Sequence, residues 1–370
     1  MKTYQLTLLG LNYNTNFGAV LQAYALQRAL KEYFNIQANL INYSPRIQKR
    51  KRRPILKIIK EDGIFYLFNR VFMYFIDNYL RSTRDRNTKN FLLSHLNFTN
   101  DIFTNLNDFD KISNKKTRFI VGSDIVWSPK VHVSSEQLKI FLLNFINSGT
   151  KISYAVSVGD LIPKHLKPIF KEYLAHFDFI SVREKSSAIF LRDILDFEPE
   201  IVLDPTLLLY PEEWVKIARP PKRLPKKPYI LVYDVPMSRE VISNILKFAK
   251  KEGFNVVTYS YSLFRRNVMS FYPYGPREFL WLIANADYVI TSSFHGTVFS
   301  TIFEKPFIAD ASITKIKDYI EFLGAESQRL DDSKSISIPL FEGIHWNSIQ
   351  SKIEKERKHS INYLKKALGR

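Results

Sequence analysis

Short apolar stretches alternate with amphipathic helical patterns along most of this chain, and many of the apolar stretches stop at Gly, Ser or Asp. The opening shows the unit, with a strand at 4–11, a loop, a helical stripe from Val20 to Phe34 and a second strand at 37–43. A strand–helix–strand unit of this kind builds a parallel sheet with a right-handed crossover. The polar residues then collect at the carboxyl edge of the sheet, where open α/β sheets bind ligands.

A segment rich in proline and basic residues, 218–228, interrupts the alternation, and the pattern restarts after it. Such segments act as linkers between domains. The sequence therefore predicts an α/β protein with two doubly wound, Rossmann-like domains that face a cleft. The predicted parts are an N-terminal domain at 1–217 with a basic and aromatic helical insertion at about 46–110, the linker 218–228, a C-terminal domain at 229–345 and a C-terminal helix at 346–370.

The chain has 370 residues, 45% of them hydrophobic, which is enough material for two cores. It contains no cysteine, so disulfides, thiolate chemistry and cysteine-ligated zinc are excluded. We predict no metal site. The N-terminus has neither the long apolar core nor the small-residue cleavage site of a secretory signal, and we expect a cytoplasmic protein.

The formal net charge of +18 predicts an anionic partner. Eight basic residues lie between Arg46 and Lys60, directly before an aromatic helical stretch at 64–80. A basic cluster beside an aromatic amphipathic element is typical of a protein that binds an anionic membrane surface from the cytoplasmic side. The alternative is a solvated loop beside a core helix. No zinc-finger, RNP-like or helix-turn-helix pattern occurs, so we expect no nucleic-acid partner.

The first candidate site lies in the stretch 287–307, where an apolar strand ends in the sequence SSFHG and a helix begins. The free amides of the first helical turn, the hydroxyls of Ser292 and Ser293 and the close approach that Gly296 permits predict a donor site for a phosphate or carboxylate. His295 beside such an anion would favour its protonated form, which suits a general acid. The alternative is a histidine that caps its own helix.

Arg183 directly follows another apolar strand and is the second candidate, because a guanidinium can hold a carboxylate or phosphate through two hydrogen bonds. The alternative is a surface pair with Glu184. The third candidate is Asp124 with its neighbours Ser123 and Trp127, an acid to bind or deprotonate an acceptor and a ring on which a sugar could stack. The alternative for Asp124 is a cap on the next turn.

The loop 12–18 connects the first strand to the first helix and resembles a phosphate loop only loosely. We assign its residues Asn16 and Gly18 to acceptor binding. Asp204 and Pro205, at another strand exit, are expected to form a structural turn. The chain has no G-x-S-x-G, no H-E-x-x-H and no Rossmann glycine fingerprint, so hydride transfer and metalloprotease chemistry are not expected.

Six blocks, in this order and at these separations, resemble the polysaccharide pyruvyl transferase family, and the resemblance extends to about residue 330. The blocks are NFGAVLQAYALQRAL, VGSDIVWSP, ISYAVSVG, ISVREKSS, VLDPTLLL and NADYVITSSFHGTVFSTIFEKPF.

The resemblance implies a two-domain architecture similar to glycosyltransferase-B. It further implies a transferase that moves the enolpyruvyl unit of phosphoenolpyruvate onto two hydroxyls of one sugar, giving a cyclic pyruvate ketal in surface polysaccharide or cell-wall glycan synthesis. Phosphoenolpyruvate is then a co-substrate, with no cofactor and no metal, and the acceptor is a sugar or a lipid-linked oligosaccharide. His295 and Asp124 would be the catalytic residues and Arg183 a donor-binding residue.

One position departs from the family. Many members carry an arginine two residues before the histidine, where this chain has Ser293. Either a different base compensates, with Lys315 and Arg277 as the candidates, or this subgroup holds the substrate differently. Two other functions stay open, namely a glycosyltransferase that uses a nucleotide-sugar donor and a non-catalytic, membrane-peripheral factor for glycan assembly.

Overall fold

The structure is a computed structural model. It describes residues 6–11, 16–45, 64–114, 117–132, 134–159, 161–234, 239–259, 268–330 and 336–370, with the backbone alone for 64–78 and 239. The basic cluster from Arg46 to Lys60 lies outside the described residues, and so does the part of the first loop at 12–15. The membrane-surface segment expected there stays a prediction.

The first half of the described chain is built on a parallel sheet of seven strands in the order β3-β2-β1-β4-β5-β6-β7. The strands are β1 Leu6–Leu9, β2 Ala38–Tyr43, β3 Phe98–Phe103, β4 Arg118–Asp124, β5 Thr150–Val156, β6 Ser181–Val182 and β7 Glu200–Ile201. The main helices of this half are α1 Phe17–Phe34, α2 Ile64–His95, α3 Asp110–Ser113, α4 Ser135–Phe141, α5 Lys167–Leu174, α6 Lys185–Arg192 and α7 Pro211–Ile217. A 3-10 helix, Pro205–Leu208, follows β7.

The second half has a parallel sheet whose five described strands run in the order β10-β9-β8-β11-β12. They are β8 Tyr229–Tyr233, β9 Asn255–Thr258, β10 Val268–Ser270, β11 Tyr288–Thr291 and β12 Phe307–Ala309. The helices are α8 Arg239–Glu252, α9 Pro276–Asn285, α10 Phe294–Ile302, α11 Thr314–Leu323, α12 Ile338–Glu342 and α13 Trp346–Ala367. All five residues of β8 are buried, as expected for a parallel sheet with helices on both faces. The prediction of two doubly wound α/β halves is confirmed.

Two details differ from the sequence-based outline or add to it. The insertion expected at about 46–110 is shorter, because β3 pairs with β2 and forms the edge of the first sheet. The C-terminal helix α13 returns to the first half: Arg357 Nε donates to the Leu207 carbonyl at 2.8 Å, and the Tyr363 hydroxyl donates to the Ser153 carbonyl at 2.8 Å. In the described part of the chain, no helix is both long and apolar enough to cross a membrane.

The two halves pack directly on one another through aromatic side chains. Phe17, at the start of α1, contacts Tyr259 and Phe279 of the second half with ring centroids 5.6 and 5.5 Å apart. Trp214 of α7 meets Phe299 of α10 edge-on at 4.9 Å. This packing brings the carboxyl edges of the two sheets together, so residues that follow strands in one half face those of the other.

Candidate active site

The turn from β11 to α10 is shaped by a capping serine and a glycine. The Ser293 hydroxyl accepts a hydrogen bond from the Gly296 amide at 3.4 Å, and the Ser293 amide donates to Thr291 Oγ1 at 3.0 Å. A Cβ at Gly296 would lie 2.4 Å from Thr291 Oγ1, so only glycine lets the helix start this close to the strand. Ser293 is therefore an N-cap, and Ser292 beside it is buried.

His295 is held between the two halves. Only 5% of the residue is exposed, and its Nε2 lies 3.6 Å from Asp204 Oδ2 of the first half. The opposite edge of the ring lies against Gly18, where an added Cβ would be 2.0 Å from Nδ1. Among the described residues Nε2 has no hydrogen-bond partner. Gly18, predicted to bind the acceptor, is thus the surface on which the imidazole packs.

Asp204 forms the structural turn expected at this strand exit, and it is also the residue at which the side chains of the site meet. Its Oδ1 accepts from the Thr206 amide at 3.0 Å and the Thr206 hydroxyl at 2.7 Å, which starts the 3-10 helix. Its Oδ2 accepts from Arg183 Nη1 at 3.0 Å and from Ser123 Oγ at 3.3 Å, and faces His295. Burial alone would raise the pKa of Asp204, but His295, Arg183 and Thr206 outweigh it and hold that pKa well below its usual range.

Arg183 is buried and surrounded by carboxylates. Nε donates to Glu184 at 3.0 Å, Nη1 donates to Asp204, and Nη2 lies 3.9 Å from Asp124 Oδ1. The guanidinium carbon stands 4.0 Å from the centre of the Phe294 ring. Burial lowers the pKa of Arg183, but Glu184, Asp204 and Asp124 more than compensate, so the net shift is upward. The pair with Glu184 exists but is buried, and Nη2 is the nitrogen without a hydrogen-bond partner among the described residues.

Asp124 and Ser123 reach this cluster, whereas Trp127 does not. Asp124 has a left-handed backbone with φ of 72°, an unfavourable conformation for a residue with a Cβ, and its Oδ1 lies 3.9 Å from Arg183 Nη2. The prediction that Trp127 stacks on an acceptor sugar was wrong. Its side chain is 0% exposed, and its indole N–H donates to the Phe141 carbonyl at 3.0 Å inside the core.

Asn16 caps α1 at the same end of the cleft. Its Oδ1 accepts from the Gly18 amide at 2.8 Å and the Ala19 amide at 3.4 Å. The carboxamide oxygen is therefore engaged by the helix, while the residue as a whole remains exposed.

Of the two bases considered for the position of Ser293, Lys315 lies at the site and Arg277 lies elsewhere. Burial lowers the pKa of Lys315. The Asp124 carboxylate opposes this shift and the Arg183 guanidinium adds to it, so the Lys315 ammonium is close enough to interact with both groups. Arg277 Nε instead donates to the Ile217 carbonyl at 2.8 Å, in a groove next to α2.

A pocket of about 450 Å³ opens beside the cluster. Its walls come from both halves and from α13, and they include Arg183, Asp204, Phe294, Lys315, Tyr319 and Lys352. The volume is within the range of roughly 300–1,000 Å³ of small-molecule sites. In the described part of the chain, no group of three or more His, Asp and Glu side chains is arranged to hold a metal ion.

The structure brings together four residues that the sequence predicts at strand ends, namely His295, Arg183, Asp124 and Ser123. The sequence signal for Asp204 is weaker, an acidic residue at a strand exit in one of the six blocks. No local sequence pattern indicates that α13 supplies a wall of the pocket.

Solved structures share the two-domain architecture at low sequence identity. The S. aureus MnaA–UDP co-structure has a TM-score of 0.51 at 9% identity, covering 99% of this chain and 97% of that one. A Neisseria meningitidis UDP-GlcNAc 2-epimerase bound to UDP-GlcNAc has a TM-score of 0.49 at 11% identity, covering 98% and 99%. The S. aureus likeness shows the fold alone, and the predicted similarity to glycosyltransferase-B is confirmed. No curated protein matches the chain.

The family model for polysaccharide pyruvyl transferase matches residues 16–309. That range contains every described strand of the two sheets except β1, together with Asp124, Arg183, Asp204 and His295. The chain belongs to the polysaccharide pyruvyl transferase family.

Proposed function

We propose that the protein transfers the enolpyruvyl unit of phosphoenolpyruvate onto two hydroxyls of one sugar and releases phosphate. The observation that carries the proposal is a buried Asp204 that faces His295 and is paired with Arg183, next to a pocket that also presents Lys315. The reaction brings together an anionic donor and the neutral hydroxyl groups of a sugar. The site offers cations, carboxylates and an apolar wall within one cleft.

The reaction needs one proton at carbon before a hydroxyl can add. His295 supplies it to the methylene carbon through Nε2, which converts that carbon to a methyl group and leaves C2 electron-poor. Asp204 stays ionised 3.6 Å from Nε2 and stabilises the imidazolium before the transfer. Because the ring is packed against Gly18, it is held in one orientation, which is what proton transfer to a single carbon requires.

The two hydroxyls then complete the ketal. The first adds to C2, phosphate leaves with the bonding electrons, and the second hydroxyl closes the ring at the same carbon. One hydroxyl proton leaves with phosphate and the other restores the histidine, so atoms balance as phosphoenolpyruvate plus diol giving ketal plus phosphate. Asp124 is the proposed base for an acceptor hydroxyl, since it lies in the cluster with its side chain largely buried.

The anionic groups of the donor would be held by Arg183 Nη2 and Lys315, with Ser292 and Ser293 at the start of α10 as further donors. Lys315 thereby takes the place of the arginine that many relatives carry two residues before the histidine. Asn16, Gly18 and Ser123 border the acceptor side. The acceptor is a sugar or lipid-linked oligosaccharide, and the basic segment 46–60 would hold the enzyme at an anionic membrane surface near it.

Thermal unfolding with different ligands tests the donor. Phosphoenolpyruvate at about 100 times its dissociation constant should stabilise the protein by roughly 2.7 kcal/mol, because it binds the native state alone. His295→Ala should mainly lower kcat, whereas Arg183→Ala and Lys315→Ala should mainly weaken phosphoenolpyruvate binding. Stabilisation by sugar nucleotides and none by phosphoenolpyruvate would instead favour glycosyl transfer, for which the UDP of the S. aureus structure is a precedent within this fold.

A further inference from the structure

A second set of hydrogen-bond donors lies at the N-terminal end of α1, and it includes Arg84 of α2. The guanidinium carbon of Arg84 stands 4.5 Å from the centre of the Phe17 ring and 5.2 Å from that of Tyr272. Phe17 is the first residue of α1, and the next residue, Gly18, touches His295. Arg84 and His295 therefore flank the same N-terminal end of α1.

The backbone that carries Arg84 is fixed against both halves. One turn further along α2, Asn87 Nδ2 donates to the Pro273 carbonyl of the second half at 2.9 Å. A Cβ at Gly275 would be 3.0 Å from Asn87 Cβ, so the two backbones are in close contact. Toward the end of α2, Phe91 packs on Tyr24 of the first half with centroids 5.8 Å apart. Arg84 is thus positioned by the packing of α2 and does not depend on a surface loop.

Two buried donors at this end of α1 lack an acceptor among the described residues. One is Arg84 Nε and the other is the hydroxyl of Tyr259, whose ring packs on Phe17 at 5.6 Å. Burial raises the pKa of Tyr259 well above its usual value, so the phenol keeps its proton and remains a donor. The neighbouring carboxylate of Glu278 is already bonded to Arg219 and to the Gly275 amide.

We propose that Arg84 binds a phosphate group of a substrate in the cleft, with the Tyr259 hydroxyl as a second donor. The guanidinium of Arg84 and the buried phenol of Tyr259 both pack on Phe17 at the start of α1, and a phosphate has enough terminal oxygens to accept from both. The inference rests on the proposed function, since it assigns the phosphate to a substrate of that reaction. Its source is the phosphate of the donor or the diphosphate of a lipid-linked acceptor.

The test compares variants that differ only in the position of the lost charge. Arg84→Met keeps the length and the apolar contact with Phe17 and Tyr272, and it removes the donors. Arg86→Met removes a charge from an exposed position of the same helix and is the matched control. Isothermal titration at low salt measures the affinities for phosphoenolpyruvate, inorganic phosphate and inorganic pyrophosphate.

We expect Arg84→Met to lower the affinity for phosphate-containing ligands at least about tenfold, as the loss of a charged hydrogen bond predicts. Arg86→Met should change these affinities less than about twofold. Arg84→Lys keeps the charge but lacks the paired donors of the guanidinium, so its affinities should lie between those of the other two variants. A loss of affinity for phosphoenolpyruvate and for inorganic phosphate identifies the phosphate bound by Arg84 as that of the donor. A loss for pyrophosphate alone identifies the diphosphate of the acceptor carrier, and both results support the proposal.

Unchanged affinities in Arg84→Met, or a wild-type protein that binds none of the three ligands, overturn it. The ligand-free unfolding temperature of each variant shows whether a loss reflects misfolding, and Arg84→Lys serves as the test variant if Arg84→Met is unstable. Ketal formation separates the two proposals. A wild-type rate in Arg84→Met refutes only the role of Arg84, whereas Arg84-dependent pyrophosphate binding in a protein that forms no ketal refutes only the proposed function.

Discussion

Gly18 is the point at which the first half touches the proposed catalytic histidine, and Gly18→Ala perturbs that contact without changing any charge. The added methyl would lie 2.0 Å from Nδ1, 2.4 Å from Cγ and 2.6 Å from Cε1 of His295. Three ring atoms are therefore closer than any ordinary contact, and the ring must move. A displacement of about 1.4 Å brings Nδ1 to the near edge of normal van der Waals distance.

The effect on stability should be small and the effect on catalysis large. Overpacking costs about 1–3 kcal/mol, while alanine in place of glycine in a helix contributes up to about 1 kcal/mol of stabilisation. We therefore expect a net loss of roughly 0–3 kcal/mol in the free energy of unfolding. A shift of about 1 Å at a reacting group can lower the rate about 100-fold, so kcat should fall by about two orders of magnitude while phosphoenolpyruvate affinity changes little.

Gly343→Ala is the matched control, because a Cβ there meets its nearest neighbour at an ordinary 3.6 Å. The assay is steady-state phosphate release with a saturating acceptor, alongside chemical denaturation of both variants. The reasoning predicts a large kcat defect in Gly18→Ala alone. A folded Gly18→Ala enzyme with wild-type kcat would refute the placement of His295 against α1 or its role in the reaction.

Three further predictions concern the charges and the core. Asp204→Asn should cost roughly 3–5 kcal/mol by leaving Arg183 with one fewer carboxylate. The pKa of Asp204 is lower in the folded state than in the unfolded state. Its contribution to stability is therefore present above the pKa of the unfolded state and is lost as pH falls through the pKa of the folded state. The free energy of unfolding of the variant should consequently depend less on pH below about 4 than that of the wild type. Burial lowers the pKa of Lys315, so the affinity of the wild-type protein for phosphoenolpyruvate should decrease as pH rises through that pKa. Lys315→Met should abolish this decrease. The same pH dependence of affinity in the variant and the wild type would exclude Lys315 as a residue that binds phosphoenolpyruvate. Trp127→Phe should destabilise the protein by about 1–3 kcal/mol, because it removes a buried hydrogen bond. The activity of the folded variant should stay within about twofold of the wild-type activity. A loss of activity without a loss of stability would restore the hypothesis that Trp127 stacks on a sugar.

The parts of the fold that sequence predicts well are those governed by local periodicity. Alternating strands and amphipathic helices specify parallel sheets, and strand ends place His295, Arg183 and Asp124 on a ligand-binding edge. The edge strand β3 escaped detection because it is half exposed and follows the long helix α2, so its pattern is weak.

The contacts across the cleft depend on long-range packing, which no local pattern encodes. Asp204 looks like an ordinary turn residue until His295 of the other half lies 3.6 Å from it. The sequence spacing between Asp124 and Trp127 is the same whether the Trp127 side chain faces a sugar or the core. The path of the chain after β4 determines which of the two it faces. Arg84 is one basic residue among many, and its position over Phe17 depends on how α2 spans both halves.

The most direct test of the proposed reaction uses phosphoenolpyruvate labelled with ¹³C at C2 and C3, a panel of sugar acceptors and D₂O as solvent. Protonation of the methylene carbon before ketal closure predicts one quaternary ketal carbon, a methyl group that carries one deuterium and one phosphate released per product, all lost in His295→Ala. A methyl group without deuterium would contradict the protonation step. Consumption of a sugar nucleotide with unchanged phosphoenolpyruvate would contradict the proposed function itself.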